Sequence, residues 1–164
     1  MSSPARSAGS YRLRAAVQDD QKVIRALVRS VGINPLGLDW PRFLVAVDSK
    51  NRILGCAQVK EHGDGSRELA SVAVRPPWRG QGIAAAMIRR LIQDNAPPVW
   101  LTCRSTLTPF YRRFGFEEVE DDGQMPRLLR RVRRLMNGVF HLLPNGEYLA
   151  VMAWWGTERP DGSL

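Results

Sequence analysis

The period of the apolar positions changes several times along this chain. "YRLRAA", Tyr11 to Ala16, alternates polar with apolar and predicts a first strand. After Asp19 and Asp20, either of which can cap a helix, Val23, Ile24, Leu27, Val28 and Val31 recur at helical spacing until Gly32. Pro35, Gly37 and Pro41 break "INPLGLDWP" into an irregular segment. "RFLVAV" and "ILGCAQVK", separated by "DSKN", predict a hairpin, and "RELASVAV" a further strand after the turn "HGDGS".

From Gly82 the period is helical. Ala84, Met87, Ile88 and Leu91 share one face, while Arg89, Arg90, Gln93 and Asp94 point away, and Pro97 and Pro98 end the run. "VWLTC" reads as a buried strand, "LTPFYRRFGF" as a short helix closed by Gly115, and "FEEVE" as another strand. In "PRLLRRVRRLMNG", Pro126 suits a first helical position, Leu128, Leu129, Val132, Leu135 and Met136 line one side, and Gly138 is expected to stop the helix. "EYLAVMAWW" predicts the last strand. This order implies one mixed α/β domain over residues 11–155, with residues 1–10 and 156–164 as flexible ends.

Composition narrows the class. A length of 164 residues suits one domain, and a hydrophobic share of 44% excludes global disorder. The longest apolar run, Tyr148 to Trp155, falls short of the roughly 18 residues a membrane helix needs. The polar "MSSPARSAGS" is unlike a signal peptide, so the expectation is a cytoplasmic protein with no membrane partner. Cys56 and Cys103 lie in strand-like runs and read as buried reduced thiols. With His62 and His141 the only histidines, no spacing fits a metal site and no metal is expected. A net charge of +8, carried mostly by arginine, fits a polyphosphate, an anionic substrate or nucleic acid; a solvated basic surface explains it equally well.

The most informative stretch is "VAVRPPWRGQGIAAAMIRR", Val72 to Arg90. A helix start leaves backbone N–H groups without partners and carries partial positive charge, so it can hold phosphate oxygens. Gly80 and Gly82 keep Cβ atoms away from those amides, Ala84 and Ala85 keep the first turn slim, and Arg79 can contact the anion or orient the loop. A P-loop would need Lys and then Ser or Thr where Ile83 and Ala84 stand. A dinucleotide fingerprint matches "GQGIAA" as a string, yet "RPPW" intervenes, and Cys103 and Arg104 stand where an acid belongs. A tight turn without a ligand accounts for one glycine but not for the set.

The same residues carry a resemblance. "VAVRPPWRGQGIAAAMIRRLI" resembles the acetyl-coenzyme A signature of the GNAT superfamily of N-acetyltransferases (Arg or Gln, two residues, Gly, one residue, Gly or Ala), with Arg79, Gly82 and Ala84 in those places. "PFYRRFGFEEV" is similar to the family's second signature, a Tyr four residues before Gly-Phe, which falls on Tyr111. With the element order, the resemblance covers Tyr11 to Trp155. It implies a GNAT-like, mostly antiparallel central sheet flanked by helices, and acetyl-CoA as donor without a metal. It also implies direct attack by a primary amine, from a small molecule or a peptide, in a ternary complex. The backbone of Val72, Ala73 and Val74 would pair with the pantetheine arm, and a backbone N–H near Val72 or Val74 would meet the oxyanion. Arg79, Gly80, Gln81, Gly82, Ile83, Ala84 and Ala85 would hold the pyrophosphate.

Two side chains are candidate catalysts. Alternation puts Glu68 on the side of Ala70, Val72 and Val74, opposite a structural Ser71. An amine with a free pKa of roughly 8 to 10.4 is mostly protonated at neutral pH, so a carboxylate base is useful, as in some family members. A solvated strand-end Glu is the competing reading. Tyr111 would donate to the departing thiolate; an aromatic core residue beside Phe110, Phe114 and Phe116 is its alternative. Many relatives carry Asn seven residues before that Tyr, where this chain has Arg104, which either meets a cofactor phosphate or carbonyl or ends the strand.

The arginines from Arg127 to Arg134 could wall a substrate site, dock an acidic partner, or rim a packed helix; no aromatic lies among them, which disfavours nucleic acid. In "VGINPLGLDWPRF" Trp40 and Asp39 are candidate acceptor contacts, with packing the main alternative for Trp40. A silent CoA-binding module and a basic nucleic-acid-binding protein stay open as other functions, and a homodimer is compatible with the sequence.

Overall fold

The computed structural model describes residues 10–140 and 145–156. The expected flexible ends, apart from Ser10 and Gly156, and His141 lie outside them. The predicted order is observed: β1 (Arg12–Ala15), α1 (Gln21–Ser30), β2 (Phe43–Val47), β3 (Ile53–Glu61), β4 (Arg67–Val74), α2 (Ile83–Asp94), β5 (Val99–Arg104), α3 (Thr108–Arg112), β6 (Glu117–Glu118), α4 (Arg127–Phe140) and β7 (Leu149–Trp154). The strands form one seven-stranded, mostly antiparallel sheet in the order β1-β2-β3-β4-β5-β7-β6, with β4 and β5 parallel. Two compact units divide the chain: Met1–Val59 with Ser71–Leu91, and Lys60–Ala70 with Ile92–Leu164.

In the first unit the helical spacing of α1 delivers Ile24, Leu27 and Val28 into a core with Phe43, Val45, Val47 and Cys56. Val23, expected on that face, is exposed. Asp20 does not cap α1 with its side chain. Its carboxylate accepts two bonds from the Arg14 guanidinium, at 2.6 and 3.1 Å, and one from the Val17 amide at 2.8 Å. That pairing holds the Asp20 carboxyl below the usual carboxylate range. On β3, Gly55 lets α2 approach: a Cβ there would stand 3.0 Å from Ala73 O and 3.2 Å from side-chain carbons of Ile83 and Met87. The absence of a side chain on Gly55 thus sets how closely α2 packs.

In the second unit β5 pairs with β7 from Val99↔Trp154 to Arg104↔Leu149. Leu129 of α4 and Met125 just before it close a core over Trp100, Val119, Val151 and Ala153. The α4 helix runs through Gly138, the expected stop, to Phe140. A glycine inside a helix costs only about 1 kcal/mol relative to alanine, which the rest of the helix can absorb. The expected apolar side is also too broad, since Leu128 and Leu135 are exposed. Three of the arginines anchor α4 to the loop ahead of it. Arg134 pairs with the Asp122 carboxylate at 2.7 Å, Arg130 donates to Asp122 O at 3.2 Å, and Arg133 donates to Glu120 O at 3.0 Å. No helix among the described residues is long and apolar enough to cross a membrane.

Candidate functional site

The glycine turn before α2 has the geometry that its sequence predicts. Gly80 and Gly82 take φ of 74° and 79°, the left-handed region, which costs an L-residue roughly 1–2 kcal/mol. A Cβ built on either glycine would meet nothing within 4 Å, so the space over the turn is open. The Ala86 amide donates to Gly82 O at 2.9 Å. The amides of Ile83, Ala84 and Ala85 therefore lie in the first turn, which has no carbonyl one turn back to accept them. The Ile83 side chain is buried and those of Ala84 and Ala85 are half-buried. Arg79 Nε donates to Val74 O at 3.1 Å, so this arginine ties the turn to the end of β4. Gln81 Nε2 donates to Pro77 O at 3.3 Å, bracing the turn with its side chain. These residues fit a diphosphate: the cradle is made of backbone and the space over it is open.

The β4 strand supplies the neighbouring backbone. Its register with β5 consists of Arg67↔Val99 and Glu68↔Trp100, and the ladder ends there. Ser71 then adopts φ of 56°, a strained value for a serine. Exposure still alternates, with Glu68, Ala70 and Val72 half-buried and Leu69, Ser71 and Ala73 buried. Val74 departs from the expected pattern, being buried as well. The Ala73 side chain belongs to the core of the first unit, so only its backbone is left for a ligand.

Gln58 is a residue the sequence reading missed. Fully buried on β3, it donates through Nε2 to Ser71 Oγ at 3.0 Å and to Gly37 O at 3.2 Å. Its Oε1 has no partner among the described residues. Gln58 therefore ties the left-handed serine to the irregular segment after α1. The available signal was one amide in the otherwise apolar "LGCAQV". In that segment Trp40 packs against the core, and Asp39 pairs with Arg42 at 2.7 Å.

In the second unit Glu68 is not a solvated strand end. Its Oε2 lies 2.8 Å from His62 Nε2, and the side chains of His62 and Glu68 are 18% and 14% exposed. Thr102 Oγ1 donates to the other oxygen at 3.5 Å. The sequence reading did not connect His62 with Glu68. Tyr111 packs edge-on against Phe110 and Phe116, and burial, then the nearby Cys103, pushes its phenol up to about 12. A phenol that basic stays protonated and can donate a hydrogen bond. It also outbids an ordinary thiolate, of pKa about 8.5, for its own proton. Arg104 is exposed at the end of β5, 3.8 Å from Glu147. Cys56 and Cys103 are free and buried, as expected.

Residues 39–118 match the family model described as an acetyltransferase (GNAT) domain. A search of curated proteins finds no match to the chain. Among solved structures, N-acetylglutamate synthase from Neisseria gonorrhoeae, complexed with coenzyme A and N-acetyl-glutamate, superposes with a TM-score of 0.69 at 19% identity over 90% of this chain. This chain covers 35% of that protein, about a third of its length. Rv2747 from Mycobacterium tuberculosis, in complex with CoA and NLQ, gives 0.66 at 24% identity, covering 88% of this chain and 99% of its own. A GNAT-family acetyltransferase from Bacillus cereus ATCC 10987 gives 0.61 at 16% identity, covering 90% and 98%. Residues 39–118, just under half of this chain, are thus similar to a GNAT acetyltransferase domain, and the chain shares its fold with these structures.

Proposed function

We propose that residues 11–155 form an N-acetyltransferase domain that moves an acetyl group from acetyl-CoA to a primary amine within a ternary complex. The observation that carries this reading is the pair of left-handed glycines before α2, with open space above them and first-turn amides beside them. Backbone amides from Gly80 to Ala85 hold the diphosphate, with Arg79 securing the turn. Val72, Ala73 and Val74 at the end of β4 pair through their backbone with the pantetheine arm. Arg104 is assigned to the same substrate as a surface cation.

The chemistry needs three services. The amine nitrogen attacks the thioester carbonyl; a C–N bond forms and the C–S bond breaks. Glu68 takes the proton that the ammonium must lose before attack, and the second proton that the nitrogen sheds as the amide forms goes to the departing thiolate. A backbone N–H near Val72 or Val74 stabilises the oxyanion, and Tyr111 hydrogen-bonds the departing sulfur. Two structural neighbours are complexed with coenzyme A together with N-acetyl-glutamate or NLQ, which makes small amino acids the first acceptors to test. The test is thiol release from acetyl-CoA over a panel of amino acids, polyamines and peptides, with mass spectrometry of the products. Thiol release only with amines present supports the reading; CoA binding without turnover over the whole panel would leave a silent binding module instead.

A further inference from the structure

We infer that a cavity of about 490 Å³ at the tip of the β2–β3 hairpin binds a small anion that carries a flat ring. Val23 of α1, Asn51 and Arg52 of the hairpin turn, and Arg75 and Trp78 after β4 line it, all within the first unit. Its volume falls within the range of roughly 300–1,000 Å³ usual for small-molecule sites. Residues 80–85, assigned to the diphosphate, do not line it, so the site stands whether or not CoA binds.

The chain fixes the donors in place. Asn51 takes φ of 61°, the left-handed region that asparagine tolerates, and its backbone amide donates to Asp48 O at 3.0 Å. Its Oδ1 accepts from Arg12 Nη2 at 3.1 Å and from Arg14 Nε at 3.0 Å. Arginine only donates, so the oxygen must face the two guanidinium groups and Nδ2 is left for a ligand. Arg75 is held by its backbone amide, which donates to Leu54 O at 2.8 Å, and by Nε, which donates to Ile53 O at 2.6 Å. Its two amino groups have no partner among the described residues. Arg52 gives Nε to Asp48 at 2.7 Å and likewise keeps its amino groups.

The nearby carboxylates are already engaged. Asp20, on the cavity wall, takes two bonds from Arg14 and one from the Val17 amide. Asp48 takes bonds from the Lys50 and Arg52 amides besides the Arg52 side chain. The side-chain groups left to a ligand are therefore donors, two of them guanidinium, and they select an anion. Val23, exposed although the spacing of α1 placed it in the core, forms an apolar wall with the half-buried Trp78. An aliphatic group and an indole suit a flat ring. A nucleotide phosphate and an aromatic carboxylate share this chemistry.

The test is an amide proton–nitrogen titration with AMP, benzoate, inorganic phosphate and adenosine as separate probes. Excess CoA is present throughout, so that AMP does not report on the glycine turn. Saturable shifts are expected at Asn51, Arg52, Arg75 and Trp78 with AMP or benzoate, whichever binds tighter naming the phosphate or the carboxylate as the source. Inorganic phosphate and adenosine, each lacking half of the chemistry, should bind at least about 10-fold more weakly. Arg75→Gln should weaken the tighter probe about 10-fold to 100-fold, the loss of a hydrogen bond between charged groups. Asn51→Gly keeps the left-handed turn, removes Nδ2 and should weaken it about 10-fold. Trp78→Leu should weaken the ring-bearing anion and leave inorganic phosphate unchanged. No saturable shift at those four residues with either ring-bearing anion overturns the site. So does wild-type affinity in both Arg75→Gln and Asn51→Gly, which leaves only a diffuse attraction of anions to a basic surface.

Discussion

Consider Gly82→Ala. At φ of 79° an alanine carries a conformational cost, and because nothing lies within 4 Å of the new Cβ there is no clash to add. The expected destabilisation is about 1–2 kcal/mol. For a domain of this size that lowers Tm by about 2–8 °C. The methyl group would stand in the open space over the turn, where the diphosphate is proposed to lie. CoA affinity should therefore fall at least about 10-fold, equivalent to about 1.4 kcal/mol. Gly32 supplies a matched control: it sits past the end of α1 at φ of 72°, also with nothing within 4 Å. Gly32→Ala should lower Tm by a similar amount and leave CoA binding intact. Scanning calorimetry and isothermal titration with CoA read the two effects separately. If both variants lose stability alike and bind CoA equally well, the diphosphate reasoning is refuted.

Further predictions concern other groups. Tyr111→Phe should lower kcat about 10-fold to 100-fold, in line with loss of a hydrogen bond to a charged group, while the KM for acetyl-CoA holds. Because its phenol is pushed up to about 12, Tyr111 stays protonated, so the ratio of wild-type to Tyr111→Phe turnover should not change between pH 7 and pH 10. Gln58→Met strands the Gly37 carbonyl and the Ser71 hydroxyl, with an expected loss of about 1–3 kcal/mol by urea unfolding. Asp20→Asn leaves Arg14 without its carboxylate partner and should destabilise at neutral pH. The depressed carboxyl of Asp20 contributes stability above its unfolded pKa that is lost as pH falls through the lower folded value. The gap between the wild type and Asp20→Asn should accordingly close in acid, as read by Tm against pH.

The turn was legible because backbone conformation dictates it. Glycines at positions 80 and 82 are required by φ, and the spacing to Ile83 and Ala84 follows from the start of a helix. The periodic elements were legible for the same local reason. Ser71 was not, since a serine gives no sign of a left-handed backbone, and the end of the β4–β5 ladder follows from pairing between distant segments. Gln58 and His62 escaped for a related reason. Each matters through a partner brought to it by a hairpin or a loop: Ser71 and Gly37 for one, Glu68 for the other. The end of α4 was misread because a lone glycine is a weak stop when the helix around it can continue.

The central claim is that main-chain nitrogens at the turn bind the diphosphate of acetyl-CoA. Amide proton–nitrogen spectra of the protein titrated with CoA test it directly. The account predicts saturable shifts at Gly80, Gly82, Ile83, Ala84 and Ala85, larger with CoA than with 4′-phosphopantetheine, which lacks the diphosphate. CoA that binds while those five amides stay in place would contradict it.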